Sequence, residues 1–500
     1  MPAFLNGGMG YTVPMKPVFR TVFALCAAAC LMCPPLRAQT PVPVTITVTS
    51  GARQTFHGFG ASALNFGHEY QTLTPAERTT LSRTLWHDLG FHTLRLWANM
   101  DKYAPVRGGH DLTQFRGCYV DSHLIADARA QGVTTLLLAP DGLPPFMAEK
   151  RAGGSAQTGM ALKDSEVDNY ADLLADFITR LRTETGTAIN VTGIQNEPND
   201  LERFTPAQIV RVVKRLRGDL DKRGLQSVQI IAPENASADD SLYAQLDALK
   251  ADPAAWAALS GIASHSYNMA ATDKAASYIA GTQERYWMTE ASDNGPEVPG
   301  DGLRAASLAS RFLSDMNHGV TDWVHFVGFE VPDPNDNATR ILAYTPKPFA
   351  VTRFQKYYYY RQLSGAFPVG SVFRKSENSL DGGMTYTYGK KPHVTAAAAK
   401  TPNGAWAVGL SNYTAPTFTD ADNDKDFAVH NSGYAAQTYA VTLRVSELAK
   451  VPALRFQMRR STAAISDAPA GDVVMRYGTV TIPALAPLEL VTLRSTPNAR

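Results

Sequence analysis

Ile194-Gln195-Asn196-Glu197-Pro198 and Tyr286-Trp287-Met288-Thr289-Glu290 are the two runs that decide how this chain of 500 residues folds. Each is a stretch of strand-forming residues that closes on a lone carboxylate. Turn chemistry follows both: Pro198-Asn199-Asp200 after the first, and Ser292-Asp293-Asn294-Gly295-Pro296 after the second. A carboxylate at the C-terminal tip of a buried strand is costly unless neighbours or a substrate stabilise it. Such a residue can also cap the helix that follows a strand, but its recurrence in one chain favours chemistry. Two tips facing one cleft would supply a carboxylic acid to protonate a leaving oxygen and a carboxylate to attack a sugar carbon.

The surroundings give that pair a frame. Eight strand-like runs follow one another at 55–62, 92–99, 134–141, 190–198, 227–234, 261–268, 285–291 and 322–330. Helical patterns separate them. Tyr170, Leu173, Leu174, Phe177, Ile178 and Leu181 share one helical face, and Thr205-Pro206-Ala207-Gln208 reads as a helix start with Ile209, Val212, Val213 and Leu216 on its apolar side. Strand–helix alternation repeated eight times predicts an α/β protein built on a (β/α)₈ barrel rather than an open sheet. Glu197 and Glu290 then end the fourth and seventh strands, on the face where such barrels carry their active sites.

The residues at these positions resemble glycoside hydrolase family 30, within the clan of retaining (β/α)₈ glycosidases. The resemblance rests on His57-Gly58-Phe59-Gly60-Ala61-Ser62, Leu94-Arg95-Leu96, Pro144-Pro145-Phe146-Met147, the two glutamate runs, and Tyr357-Tyr358-Tyr359-Tyr360-Arg361-Gln362-Leu363-Ser364 leading to Phe367-Pro368-Val369-Gly370-Ser371. Asn-Glu-Pro alone marks only the clan; the tyrosine run after strand eight narrows it. The resemblance implies Glu197 as general acid/base, Glu290 as nucleophile and Tyr267 as a hydrogen-bond donor to that nucleophile. Asn196 is positioned for the sugar 2-hydroxyl. Arg95 is expected to be a fixed cation that keeps Glu290 ionised, while the charge of Glu290 keeps Glu197 protonated until the sugar is attached. His265, two residues from Tyr267 on one strand, would face the same cleft; a core histidine is the alternative. Relatives usually carry a Trp after strand three where this chain has Asp141, so a hydroxyl acceptor replaces an aromatic platform. Trp97, Asp101, Trp323 and Phe329 are further candidates for sugar contacts.

Outside the barrel the texture changes. From about residue 370 short alternating runs separated by Gly, Asn, Asp and Pro predict an appended antiparallel β-sandwich, Met384 to Tyr388 among its strands. The expected organisation is a signal peptide at 1–38, an N-terminal strand at 39–54 pairing into the β-domain, the catalytic barrel at 55–365 and the β-sandwich at 366–500. That module is read as a buttress, with a carbohydrate-binding role as the alternative. The signal rests on Lys16 and Arg20 before a short apolar run and Ala38-Gln39, a pattern of export too short to span a membrane. Of four cysteines only Cys118 lies beyond that segment, so no internal disulfide is expected, and lipid attachment at Cys30 or Cys33 is not favoured.

A net charge of +1 gives no reason to invoke nucleic acid or an acidic membrane surface. Gly58-Phe59-Gly60-Ala61-Ser62-Ala63 mimics a dinucleotide loop, but Asn65-Phe66-Gly67 does not open a helix. The acidic run from Asp420 to Asp426 lacks the glycine and the terminal Glu of a calcium loop. No cofactor and no metal are therefore expected. The overall expectation is an exported, secreted or periplasmic, monomeric retaining β-glycosidase, endo-acting on a β-1,6-glucan or galactan or a xylan. An exo-acting β-glycosidase, resembling a glucosylceramidase or β-xylosidase, and an inactive secreted glycan-binding protein stay open as alternatives.

Overall fold

Eight parallel strands close on themselves in the computed structural model: Gly58–Ser62, Thr93–Asn99, Thr135–Asp141, Val191–Thr192, Gln229–Ala238, Gly261–Met269, Arg285–Met288 and Asp322–His325, the last pairing with the first. The structure describes residues 40–63, 68–151, 158–201, 203–269, 273–380, 393–415 and 435–496. The expected leader at 1–38, Asn65 to Gly67, the expected strand at Met384 to Tyr388 and the acidic run from Asp420 to Asp426 lie outside the described residues. Among the described residues no helix is long and apolar enough to cross a membrane.

Alternation along each strand sorts side chains between two cores. Leu137, Val191, Ile231, Ala263, Trp287 and Val324 form one buried layer inside the barrel. Their neighbours point outward, to the helices. Helix Val167–Thr185 buries Tyr170, Leu174, Phe177, Ile178 and Leu181, as the 3.6-residue spacing predicts. Helix Pro206–Lys222 starts on a capping box, Thr205 accepting from the Gln208 amide while the Gln208 side chain accepts from the Thr205 amide.

Two strands differ from the sequence expectation. The fourth keeps ladder pairing only at Val191–Thr192, because the chain then passes from one neighbour to the other: the Asn196 amide donates to Pro140, the Glu197 amide to Glu234. The eighth ends at His325; Phe329–Glu330 belongs to a separate three-stranded sheet with Leu342–Pro346 and Phe349–Arg353. Phe329 is buried, stacked on Tyr70, and makes no part of the cleft.

Beyond the barrel, a six-stranded antiparallel sheet runs in the order Val372–Arg374, Val394–Lys400, Trp406–Asn412, Leu490–Ser495, Leu454–Ser461 and Ala468–Met475. A four-stranded sheet faces it, with Val42–Val48 between Ser376–Asn378 and Tyr439–Val445. The early strand thus pairs into the β-domain, but parallel to Tyr439–Val445, not antiparallel. Val44, Ile46 and Val48 enter the core between the sheets together with Val408, Leu443 and Phe456. Helix Gly302–Asn317 is buried at every position. One side meets the barrel, where Arg311 donates to the Ser266 carbonyl at 2.6 Å; the other meets the six-stranded sheet, where Ser310 bonds Ser411 at 2.9 Å.

Candidate active site

Glu290 lies two residues beyond Met288, the last ladder residue of the seventh strand, and both its oxygens are engaged. Tyr267 donates its hydroxyl to Oε1 at 2.8 Å, and Arg95 donates Nη1 to Oε2 at 2.5 Å. Arg95 is completely buried, and lies within its strand, level with Leu137 of the inner layer, rather than at its tip. The face of its guanidinium rests 4.3 Å from the Trp97 ring. Its second nitrogen donates to Asn196 Oδ1 at 2.9 Å. A buried cation with several acceptors is held rigidly, and it offsets the cost of burying the carboxylate beside it.

Glu197 sits at the turn where the fourth strand ends, with φ at +47°, a left-handed backbone that aims its side chain back into the barrel mouth. The Asp200 and Leu201 amides close the turn on its carbonyl. Its Oε1 lies 2.8 Å from His265 Nδ1. Burial pushes the Glu197 carboxyl up to about 7, with Asp200 adding like-charge repulsion and Arg95 opposing. Burial is thus the main cause of that rise, where the sequence reading assigned it to the field of Glu290. His265 is completely buried, which pushes its imidazole down to about 3 despite the charge of Glu290. It is neutral at ordinary pH, so its contact with Glu197 is a hydrogen bond and not an ion pair. His265 is buried as the core-histidine alternative has it, and its ring also touches a carboxylate of the site.

Glu197, His265 and Glu290 each present an atom within 4.8 Å of the others. Three such atoms can also hold a cation, yet the Arg95 guanidinium already supplies the positive charge at Glu290. Within the trio Glu197 is the group on which burial retains a proton. Asn196 is fixed through its carbonyl by Arg95, and its amide bonds Asp141. Burial raises the Asp141 carboxyl to about 6, the charge of Glu290 adding to it. Asp141 therefore joins the rim of the same constellation.

The two tryptophans part company. Trp97 reaches the site but is only 4% exposed, with Arg95 over its face and Phe326 at its edge, so it supports the guanidinium. Trp323 does not reach it. Val324 takes the inward place on the eighth strand, which turns Trp323 outward, where its indole donates to Asp315 at 2.7 Å and its ring meets Phe59, Phe312 and Tyr360. The expectation that Trp323 contacts sugar is corrected: a shift of one position along a strand reverses the face.

Sequence reasoning missed Glu234. It lies in the fifth strand at a register irregularity, is completely buried, and its Oε1 is 3.4 Å from Arg95 Nη2. Burial raises its carboxyl to about 7 against the pull of Arg95. The signal was present: Pro233-Glu234-Asn235 is another lone carboxylate closing a predicted strand. A cavity of about 570 Å³ lies elsewhere, at the opposite ends of the strands around His57, Arg285 and Thr321, and has no group of this constellation in its wall.

Compared by sequence, the chain matches no known family and no curated protein. Compared by structure, it is similar to a glycoside hydrolase family 30 subfamily 8 xylanase from Clostridium acetobutylicum, with TM-score 0.63 and 19% identity over 91% of this chain and 99% of that one. A family 30 endoxylanase from Clostridium papyrosolvens gives TM-score 0.62 and 17% identity over 91% and 100% of the chains. An endo-β-1,6-glucanase gives TM-score 0.58 and 17% identity over 91% and 93%. The barrel with its β-domain is the fold of these enzymes.

Proposed function

We propose that this protein is a retaining β-glycoside hydrolase that works by double displacement. The observation that carries the reading is the separation of Glu197 and Glu290, whose nearest carboxyl oxygens are within 4.8 Å. Retaining pairs stand about 5–5.5 Å apart, whereas inverting pairs leave about 6.5–9.5 Å for a water. The two environments also differ in the required sense: burial keeps a proton on Glu197 up to about pH 7, while Arg95 and Tyr267 donate to Glu290.

In the first step Glu197 gives its proton to the glycosidic oxygen as Glu290 attacks the anomeric carbon. The C–O bond to the leaving group breaks and an ester forms at Glu290. In the second, Glu197, now a carboxylate, takes a proton from water, the water oxygen attacks the same carbon, and the ester bond breaks to return the charge to Glu290. Asn196, locked by Arg95, offers its remaining amide hydrogen toward the 2-hydroxyl side of the sugar.

The substrate we assign is an extracellular β-linked polysaccharide, a xylan or a β-1,6-glucan or galactan, cut internally. The leader-like N-terminal sequence supports export, and the structural neighbours include endo-acting enzymes on both xylan and β-1,6-glucan. A panel of nitrophenyl glycosides and these polysaccharides, read by reducing sugar and viscosity, tests the proposal. We expect a fast viscosity drop and mixed oligosaccharides at early times. Monosaccharide as the sole early product would overturn endo action, and silence across the panel would overturn hydrolysis.

A further inference from the structure

Glu234 touches the constellation from two sides. Its side chain meets Arg95, the residue that holds Glu290 and Asn196, and its main-chain carbonyl accepts the amide of Glu197 at 3.1 Å. Its backbone is left-handed at φ +67°, a region that a non-glycine residue occupies only when the surroundings over-determine it. The opposing strand is shaped to receive it. Gly193 leaves a notch in which a Cβ would stand 1.6 Å from Glu234 Oε2. A glycine that makes room for a buried carboxyl, a bulge that aims it and a strained backbone that fixes it are three separate features converging on one side chain.

We propose that Glu234 is a positioning residue for glycosyl transfer, anchoring Arg95 against Glu290 with its carboxyl and the turn of Glu197 with its carbonyl. The inference rests on the retaining reading given above. Glu234 acts through the oxygen that it offers, not through net charge. Arg95 is the cation in contact with it, and that one guanidinium already faces Glu290. Glu290 and the Thr289 side chain are the other groups that act on its carboxyl, and neither adds positive charge. When Glu290 becomes an ester its charge is lost, and the Glu234 oxygen keeps the guanidinium in place for the return step.

Three variants test this on 2,4-dinitrophenyl β-xylobioside and β-glucoside, with active sites counted by fluorosugar trapping. Glu234→Ala removes the anchor, and Gly193→Ala pushes it aside without removing any polar group. Each is expected to lower kcat per active site by about 100-fold with KM within about threefold, the size of loss that misplacement by about 1 Å produces. Glu234→Gln keeps an acceptor oxygen and is expected to stay within about threefold of wild type. A merely structural role would reduce the number of titratable sites and leave kcat per site unchanged, which overturns the proposal. Equal losses in Glu234→Gln and Glu234→Ala would overturn the uncharged role. Wild-type silence on both glycosides and on 2,4-dinitrophenyl β-galactoside would count against the hydrolase reading instead. The crystal structure of Glu234→Ala then decides: Arg95 displaced out of hydrogen-bond reach of Glu290 supports positioning, and an unchanged contact refutes it.

Discussion

Glu290 carries a donor on each oxygen and Glu197 carries a proton that burial retains, so the two residues should fail in different ways when altered. Glu290→Gln should lower turnover of every substrate by at least about 10⁴-fold. Glu290→Ala should regain part of its activity with azide and yield the glycosyl azide of inverted configuration, identified by NMR. Glu197→Ala should spare dinitrophenyl glycosides, which need little protonation, and lose far more on polysaccharide; equal losses would remove the acid/base role. The acid form of Glu197 is present below about pH 7, so kcat/KM on polysaccharide should fall as pH rises through that value. In Glu197→Gln that alkaline limb should vanish. Rate profiles between pH 5 and 9 give the answer.

At the scale of elements, the period of two along a strand decides which groups meet. His265 and Tyr267 face inward together on the sixth strand, while on the eighth Val324 takes the inner place and Trp323 the outer. Trp323→Phe should therefore act on stability and not on sugar binding. It leaves the buried Asp315 without its indole donor, a loss of about 1–3 kcal/mol. We expect a lowered melting temperature with KM unchanged; a raised KM at unchanged stability would return Trp323 to the cleft. The fourth strand carries a related lesson. Its short ladder is what lets Asn196 and Glu197 bond different neighbouring strands, bringing Glu197 toward Glu290.

For the whole molecule, the β-domain and barrel share helix Gly302–Asn317, which has no solvent-facing side, and the described residues from Pro41 onward form one compact unit. The early strand Val42–Val48 closes that unit from the other end of the chain. Ile46→Asp places an unpaired charge in the core between the sheets and should destabilise by about 3 kcal/mol or more, read by denaturant unfolding. The buried carboxyls make stability depend on pH as well. Glu197 and Glu234 hold protons up to about 7 when folded, against an ordinary value of 4.5. Between those values the native state binds more protons than the unfolded chain, so stability should fall as pH rises from about 4.5 to about 7. Thermal melts across that range should show the slope, and Glu234→Gln should flatten it.

The amino-acid sequence by itself determined the barrel, because hydrophobic period and turn chemistry are local: the strand runs, the Thr205 cap and the face of helix Val167–Thr185 are all legible within short windows. It also singled out Glu197 and Glu290, since a lone carboxylate closing a strand is a local anomaly. Register belongs to the tertiary structure. Nothing near Trp323 says that Val324 faces inward, and nothing near Glu234 says that Gly193, on another strand, leaves a notch for it. Contacts across strands depend on how eight segments stagger when they close, and on a bulge and two left-handed residues that redirect side chains. Those are properties of the closed barrel, and no single run of the chain contains them.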